Sequence, residues 1–260
     1  MTLDFTFSKY KELCQAIIDS GYPVLNIEKY LSLKNKPDTY ILLRHDVDIK
    51  PERSLIISQI EAEFNISSTY YFRTTEDVFK PKLIQQIAEF GHEIGYHYEV
   101  LDKAKGDIER AIEIFSKELM DFRDIIDIRT ICMHGNSRTK WDNRDIWKYH
   151  EFKQYCIIGE AYISINFNDL EYFSDTGRSW NPKYKIKDVD YDGFKQKKYD
   201  VKNTDSLINI IRNKKYQHLY ILVHPDDWCD DLGKWMNNLV TRQFKNVGKS
   251  CIRLYRHSSK

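Results

Sequence analysis

Apolar residues along the chain recur with two periods, one helical and one extended, and the two alternate. After Ser8, which can cap a helix, Tyr10, Leu13, Ala16 and Ile17 recur at helical spacing, and Gly21 before Pro23 ends the run. Tyr40 to Leu43 is short, apolar and β-friendly, and it runs into Arg44-His45-Asp46-Val47-Asp48; this reads as a buried strand with a charged end. Pro51 opens a second helix with the stripe Leu55, Ile56, Ile60, Phe64, and Asn65 closes it. Ser67 to Arg73 is β-branched and aromatic and predicts a second strand.

The alternation continues. Pro81 opens a helix over Leu83, Ile84, Ile87 and Phe90 that stops at Gly91, and Glu93 to Tyr98 is a third strand. The pattern predicts one long helix from about Asp102 to Phe122, then a strand from Ile128 to Met133. Tyr155 to Ile165 and Leu170 to Phe173 read as two further strands. Asn181 to Lys202 mixes charges of both signs with little periodicity and reads as a long solvated loop. Thr204 caps a helix over Leu207, Ile208 and Ile211, Leu219 to Val223 is the last strand, and a terminal helix runs through Trp235, Leu239 and Phe244.

Strands alternating with helices predict a parallel α/β fold. Polar residues terminate most of the predicted strands, which fits a barrel whose functional face is built from the ends of all its strands. With no internal repeat or linker, residues 1–260 are expected to form one domain, with 1–38 as a helical extension packed on it.

Composition narrows the class. With 42% hydrophobic and 30% charged residues the chain is globular in character, and no apolar run approaches the roughly 20 residues of a membrane-spanning helix. A net charge of +1 gives no basic field for nucleic acid. Five cysteines, odd in number and without close spacing, argue against a disulfide framework or a zinc ribbon. With no secretory signal in Met1 to Phe5, reduced thiols in a cytoplasm are expected.

The strand ends carry the candidate chemistry. Asp46 and Asp48 share a strand face, and like charges held together at the edge of an apolar core must be neutralised by a proton, a cation or a metal. His97 and Glu99, His134, Asp175 with Arg178, and His224 follow at later strand ends. A single histidine is more often structural than functional. Histidines that recur at one end of successive strands have no structural reason to cluster.

These motifs resemble the polysaccharide deacetylases of carbohydrate esterase family four, over roughly Thr39 to the last helix. Arg44-His45-Asp46-Val47-Asp48 resembles the family's first motif, with a catalytic and a metal-binding aspartate. Gly91-His92-Glu93-Ile94-Gly95-Tyr96-His97 is similar to the second, whose last histidine binds metal, and Ser174-Asp175-Thr176-Gly177-Arg178-Ser179-Trp180 resembles a groove-lining motif. Leu222-Val223-His224-Pro225 resembles the motif whose histidine acts as the acid. The departures are specific. Val47 separates two aspartates that are adjacent in the family, Leu101 stands where a second metal-binding histidine is usual, and Met133-His134-Gly135-Asn136 lacks the usual third-motif pattern. The third ligand is therefore His134 or Glu99, and His134 is favoured because it needs no extension of a strand.

The resemblance implies a distorted (β/α) barrel of about seven parallel strands, of the NodB-homology type. It implies a metal-dependent hydrolase that removes an acetyl or other acyl group from an N-acetylated sugar or surface-polysaccharide precursor. Asp48, His97 and His134 would hold one divalent transition metal, zinc being the expected one. Asp46 would be the base, oriented by Arg178, and His224 the acid. Glu99, Asp175 and Trp180 would contact a carbohydrate substrate. Two other readings stay open: an amidohydrolase acting on a non-sugar acyl compound, and a lapsed enzyme that binds carbohydrate through Trp141, Trp180 and Trp228. Neither nucleic acid nor a membrane is an expected partner, and the oligomeric state is open.

Overall fold

The computed structural model describes residues 3–136, 139–180, 201–243 and 246. Thr6, two residues ahead of the expected Ser8, caps the first helix, α1 (Phe7–Ser20), because its hydroxyl accepts the Lys9 N–H at 3.1 Å; such a cap contributes about 1 kcal/mol. Gly21 ends α1 in a left-handed conformation, φ 69°, that glycine alone adopts without cost. A short strand, β1 (Val24–Leu25), and a helix, α2 (Ile27–Ser32), follow.

The central strand, β2 (Tyr40–Val47), is buried along its whole length, as its apolar run requires. Pro51 opens α3 (Pro51–Glu63), and β3 (Thr69–Phe72), α4 (Pro81–Glu89) and β4 (Glu93–Tyr98) continue the alternation. At Gly95 of β4 a Cβ would overlap the Tyr71 ring from β3, so the close approach of the two strands requires glycine there. The expected long helix is two: α5 (Val100–Lys103) and α6 (Ile108–Arg123). Lys105 and Gly106 break the path with φ of 55° and 91°, and Asp107 recaps the chain by accepting the Arg110 N–H.

After β5 (Thr130–Met133) the expected strand over Tyr155 to Ile165 shrinks to β6 (Gly159–Glu160). A 3₁₀ turn over Phe152–Tyr155 precedes it, and the Glu160 carboxylate folds the chain over by accepting the Met133, Tyr162 and Ile163 N–H groups. β7 (Glu171–Ser174), α7 (Thr204–Arg212) and β8 (His218–Val223) complete the sheet, and a last helix runs over 232–243. Asn203 caps α7 in place of Thr204, whose hydroxyl instead accepts from Trp180. Most of the loop expected over Asn181 to Lys202 lies outside the described residues.

All strand pairs are parallel, in the order β6-β5-β4-β3-β2-β8-β7, with β1 beside the start of β2. The sheet curls into a half-barrel wrapped by helices, a (β/α) barrel-like fold; among the described residues no pairing joins β6 to β7. Residues 7–20 belong to the core, since α1 packs on α3 and α7 and buries Tyr10, Leu13, Ala16 and Ile17. No helix among the described residues is long and apolar enough to cross a membrane. Because the strands are parallel, their C-terminal ends share one edge.

Candidate metal centre

Alternation along β2 puts Arg44, Asp46 and then Asp48 on the same face, rising toward that edge. The β4–β5 register sets His97 opposite Cys132, and His134 N donates to Tyr98 O, carrying the ladder one residue further. His134 therefore arrives beside His97. Asp48 Oδ1 lies 3.1 Å from His134 Nδ1 and 3.4 Å from His97 Nε2, and the two ring nitrogens are 3.3 Å apart.

His97 Nδ1 lies 3.0 Å from Cys132 O. A carbonyl only accepts, so Nδ1 carries a proton toward Cys132 and Nε2 is the nitrogen turned to the centre. Asp48 Oδ1 is buried with no hydrogen-bond partner among the described residues. Burial would raise the Asp48 carboxyl, but the His134 and His97 imidazoles hold it well below the usual carboxylate range. A buried carboxylate oxygen facing two imidazole nitrogens is a set of donors that could hold a transition-metal ion. The side chain of Asp48 remains 23% exposed, so the centre is reachable from solvent.

Asp46, Cys132 and His97 form a second convergent group deeper in the sheet. Asp46 is already neutralised. Arg44 Nε and Nη2 grip its two carboxylate oxygens at 2.8 and 2.6 Å, and the same guanidinium donates to Tyr220 and Tyr162 hydroxyls at 2.9 and 2.8 Å. Burial alone would raise the Asp46 carboxyl, yet Arg44, His97 and His224 bring it below the ordinary value. Desolvation pushes the Cys132 thiol well up. Asp48, His97 and His134 are therefore the better triad for a borderline ion such as zinc.

Across the edge, Asp175 after β7 accepts from His224 Nδ1 at 2.6 Å, from His224 N at 2.9 Å, and from Trp228 Nε1 at 2.8 Å. Burial would lower the His224 imidazole, but the Asp175 hydrogen bond and charge push it up to about 10. His224 is thus protonated at neutral pH with Nε2 left to transfer a proton.

Four expected roles change. Arg178 does not orient Asp46: its Nη1 donates to Trp235 O at 2.8 Å and its guanidinium lies over the Trp235 ring, because Gly177 and Arg178, at φ 75° and 59°, turn the chain aside. Trp180 lines no groove, being 1% exposed, with its Nε1 donating to Thr204 Oγ1. Asp175, fully buried, orients His224 and is out of a substrate's reach. Glu99 is taken by Arg73, whose Nη2 and Nε bind its carboxylate at 2.8–3.2 Å while Nη1 holds Asp48 O at 3.0 Å.

Sequence reasoning missed Arg44, Arg73 and Asn143. The signal for Arg44 was its two-residue spacing from Asp46 on one strand, which fixes a shared face. Asn143 bridges Leu101 N and His134 O at 2.9 and 3.0 Å and so steadies the His134 turn, a contact that no local pattern announces. No family model matches the chain, and no curated protein matches it at a significant level.

Proposed function

We propose that the chain is a metal-dependent hydrolase that removes an acyl group, acetyl first, from an N-acetylated sugar or surface-polysaccharide precursor, as the polysaccharide deacetylases it resembles do. The observation that supports this is one arrangement: Asp48, His97 and His134 converge at 3.1–3.4 Å at the strand edge that also carries an arginine-paired Asp46 and an aspartate-paired His224. A divalent ion held by the triad supplies Lewis acidity toward a carbonyl or a water. Asp46, ionised and gripped by Arg44, accepts the proton of the attacking water. His224 Nε2 gives a proton to the leaving nitrogen as the C–N bond breaks, so an amide and water yield a carboxylic acid and an amine.

Of the three tryptophans that a lapsed carbohydrate-binding site would use, Trp180 and Trp228 are in the core and Trp141 is partly buried. The working compartment of this proposal is the cytoplasm, consistent with free thiols at Cys14, Cys132, Cys156 and Cys229. The test is element-resolved metal analysis of the purified chain together with acetate release from a panel of N-acetylated sugars and non-sugar N-acyl compounds. Release from the sugars supports the proposal. Release confined to the non-sugar compounds moves the substrate class, and a metal-loaded protein inert on the whole panel refutes it.

A further inference from the structure

His97 Nε2 faces two carboxylates from two layers of the sheet, Asp48 Oδ1 at 3.4 Å above and Asp46 Oδ2 at 3.7 Å below. Below it stands Cys132, fully buried and opposite His97 in the β4–β5 register. One donor atom each from Asp46, His97 and Cys132 fall within 4.8 Å of one another, as do those of Asp48, His97 and His134. Nε2 has a single lone pair, so it can serve one set at a time.

We propose that Asp46, His97 and Cys132 form an inner metal seat for a soft, thiophilic divalent ion of the cadmium class, and that occupation of this seat excludes an ion from the outer triad by taking His97. The donor types separate the two seats. A thiolate favours soft ions, whereas the outer set offers only nitrogen and oxygen. Arg44 does not block the inner seat, because a carboxylate oxygen has lone pairs for both a guanidinium hydrogen bond and an ion. The sulfur–metal bond forms as Cys132 gives its proton to the buffer, with no change of oxidation state. An ion there also occupies Asp46, so under the hydrolase reading it removes base and metal site together. The inner seat does not depend on that reading, because its occupation is read from the ligand's own absorption.

The experiment titrates the metal-free full-length protein with cadmium chloride and follows the thiolate-to-cadmium charge-transfer band in the ultraviolet. The band is expected to saturate at one equivalent, to disappear in Cys132→Ser, and to survive in His134→Ala, which breaks only the outer triad. It should also survive in Cys156→Ser, a substitution at an exposed site that does not endanger the fold. Preloading with zinc should raise the cadmium needed for half-saturation by about ten-fold or more, as competition for one nitrogen demands. No band in the parent, an undiminished band in Cys132→Ser, or its loss in His134→Ala or Cys156→Ser overturns the proposal. Indifference to zinc overturns the shared use of His97.

Discussion

Arg44 grips Asp46 from two residues away on the same strand, through two hydrogen bonds of 2.8 and 2.6 Å in a fully buried setting. The fork keeps both oxygens of Asp46 in one plane and its charge compensated where burial would otherwise favour the neutral acid. Lysine cannot reproduce a bidentate grip. Arg44→Lys is therefore expected to lower kcat by about 10–100-fold with little change in KM or metal content. In an Asp46→Asn background the same substitution should cost almost nothing further, since the group it positions is gone. Additive losses in the double variant would make Arg44 a packing residue only.

Asp46→Asn alone should keep its metal and lose about 10²–10⁴-fold in rate, as the loss of a general base does. Metal content separates the roles of the two aspartates. If Asp46→Asn emptied the centre while Asp48→Asn kept its ion, the roles given to them would be exchanged.

His97→Ala should leave the protein without stoichiometric metal after dialysis, because His97 is the one residue common to both donor groups. His134→Ala should weaken binding by at least about ten-fold. Glu99→Ala should bind as the parent does, since Arg73 already takes that carboxylate. Equal losses from His134→Ala and Glu99→Ala would mean that Glu99 leaves Arg73 to ligate.

In the proposed hydrolysis His224 would act as an acid only while protonated, and Asp175 raises its pKa to about 10. Activity should hold through neutral pH and fall as the pH passes about 10. In Asp175→Asn the alkaline limb should move toward the ordinary histidine value of about 6.5. A raised folded-state pKa also contributes stability that is complete below the unfolded value and is lost as pH rises through the folded one. Asp175→Asn should thus destabilise the protein at pH 6 and make little difference at pH 11. An alkaline limb that does not move would take His224 out of the proton transfer.

The strand ends were legible because each apolar run breaks at a polar residue, and parallel topology brings such breaks to one edge. That logic located Asp46, Asp48, His97, His134 and His224. It failed after β7, where Ser174 to Trp180 leaves the sheet: the left-handed turn at Gly177 and Arg178 sends Arg178 to Trp235 and Trp180 into the core against Phe5. Two runs depart from their apolar pattern for local reasons, with Lys105 and Gly106 dividing a helix and Glu160 collecting N–H groups that a strand would spend on its neighbour. Long-range partners such as Asn143 and Arg73 depend on packing that no spacing encodes.

Glu61 shows how far such a hidden network extends and yields the last prediction. It is fully buried on α3, where Oε1 accepts from Tyr10 of α1 and His45 of β2 at 2.5 and 2.8 Å, and Oε2 from Ser68 and from Tyr70 of β3 at 2.6 and 2.7 Å. His92 Nδ1 stands 3.6 Å away. Burial would raise the carboxyl, but the His45 and His92 imidazoles and the Ser68 hydroxyl bring it down to about 2. A depressed carboxylate contributes stability that is complete above its unfolded value of about 4.3. That contribution drains away as pH falls from there toward about 2. Glu61→Gln keeps the shape and removes the charge, so at pH 7 it should cost about 3 kcal/mol or more, the scale of breaking a buried charged network. Measured by denaturant unfolding, the gap between parent and variant should close as pH falls from 4.5 toward 2. A gap that stays constant over that range would mean that Glu61 acts through shape alone. Because His45 precedes Asp46 on β2, metal content measured on the same variant tells whether loosening one face of that strand disturbs the centre on the other.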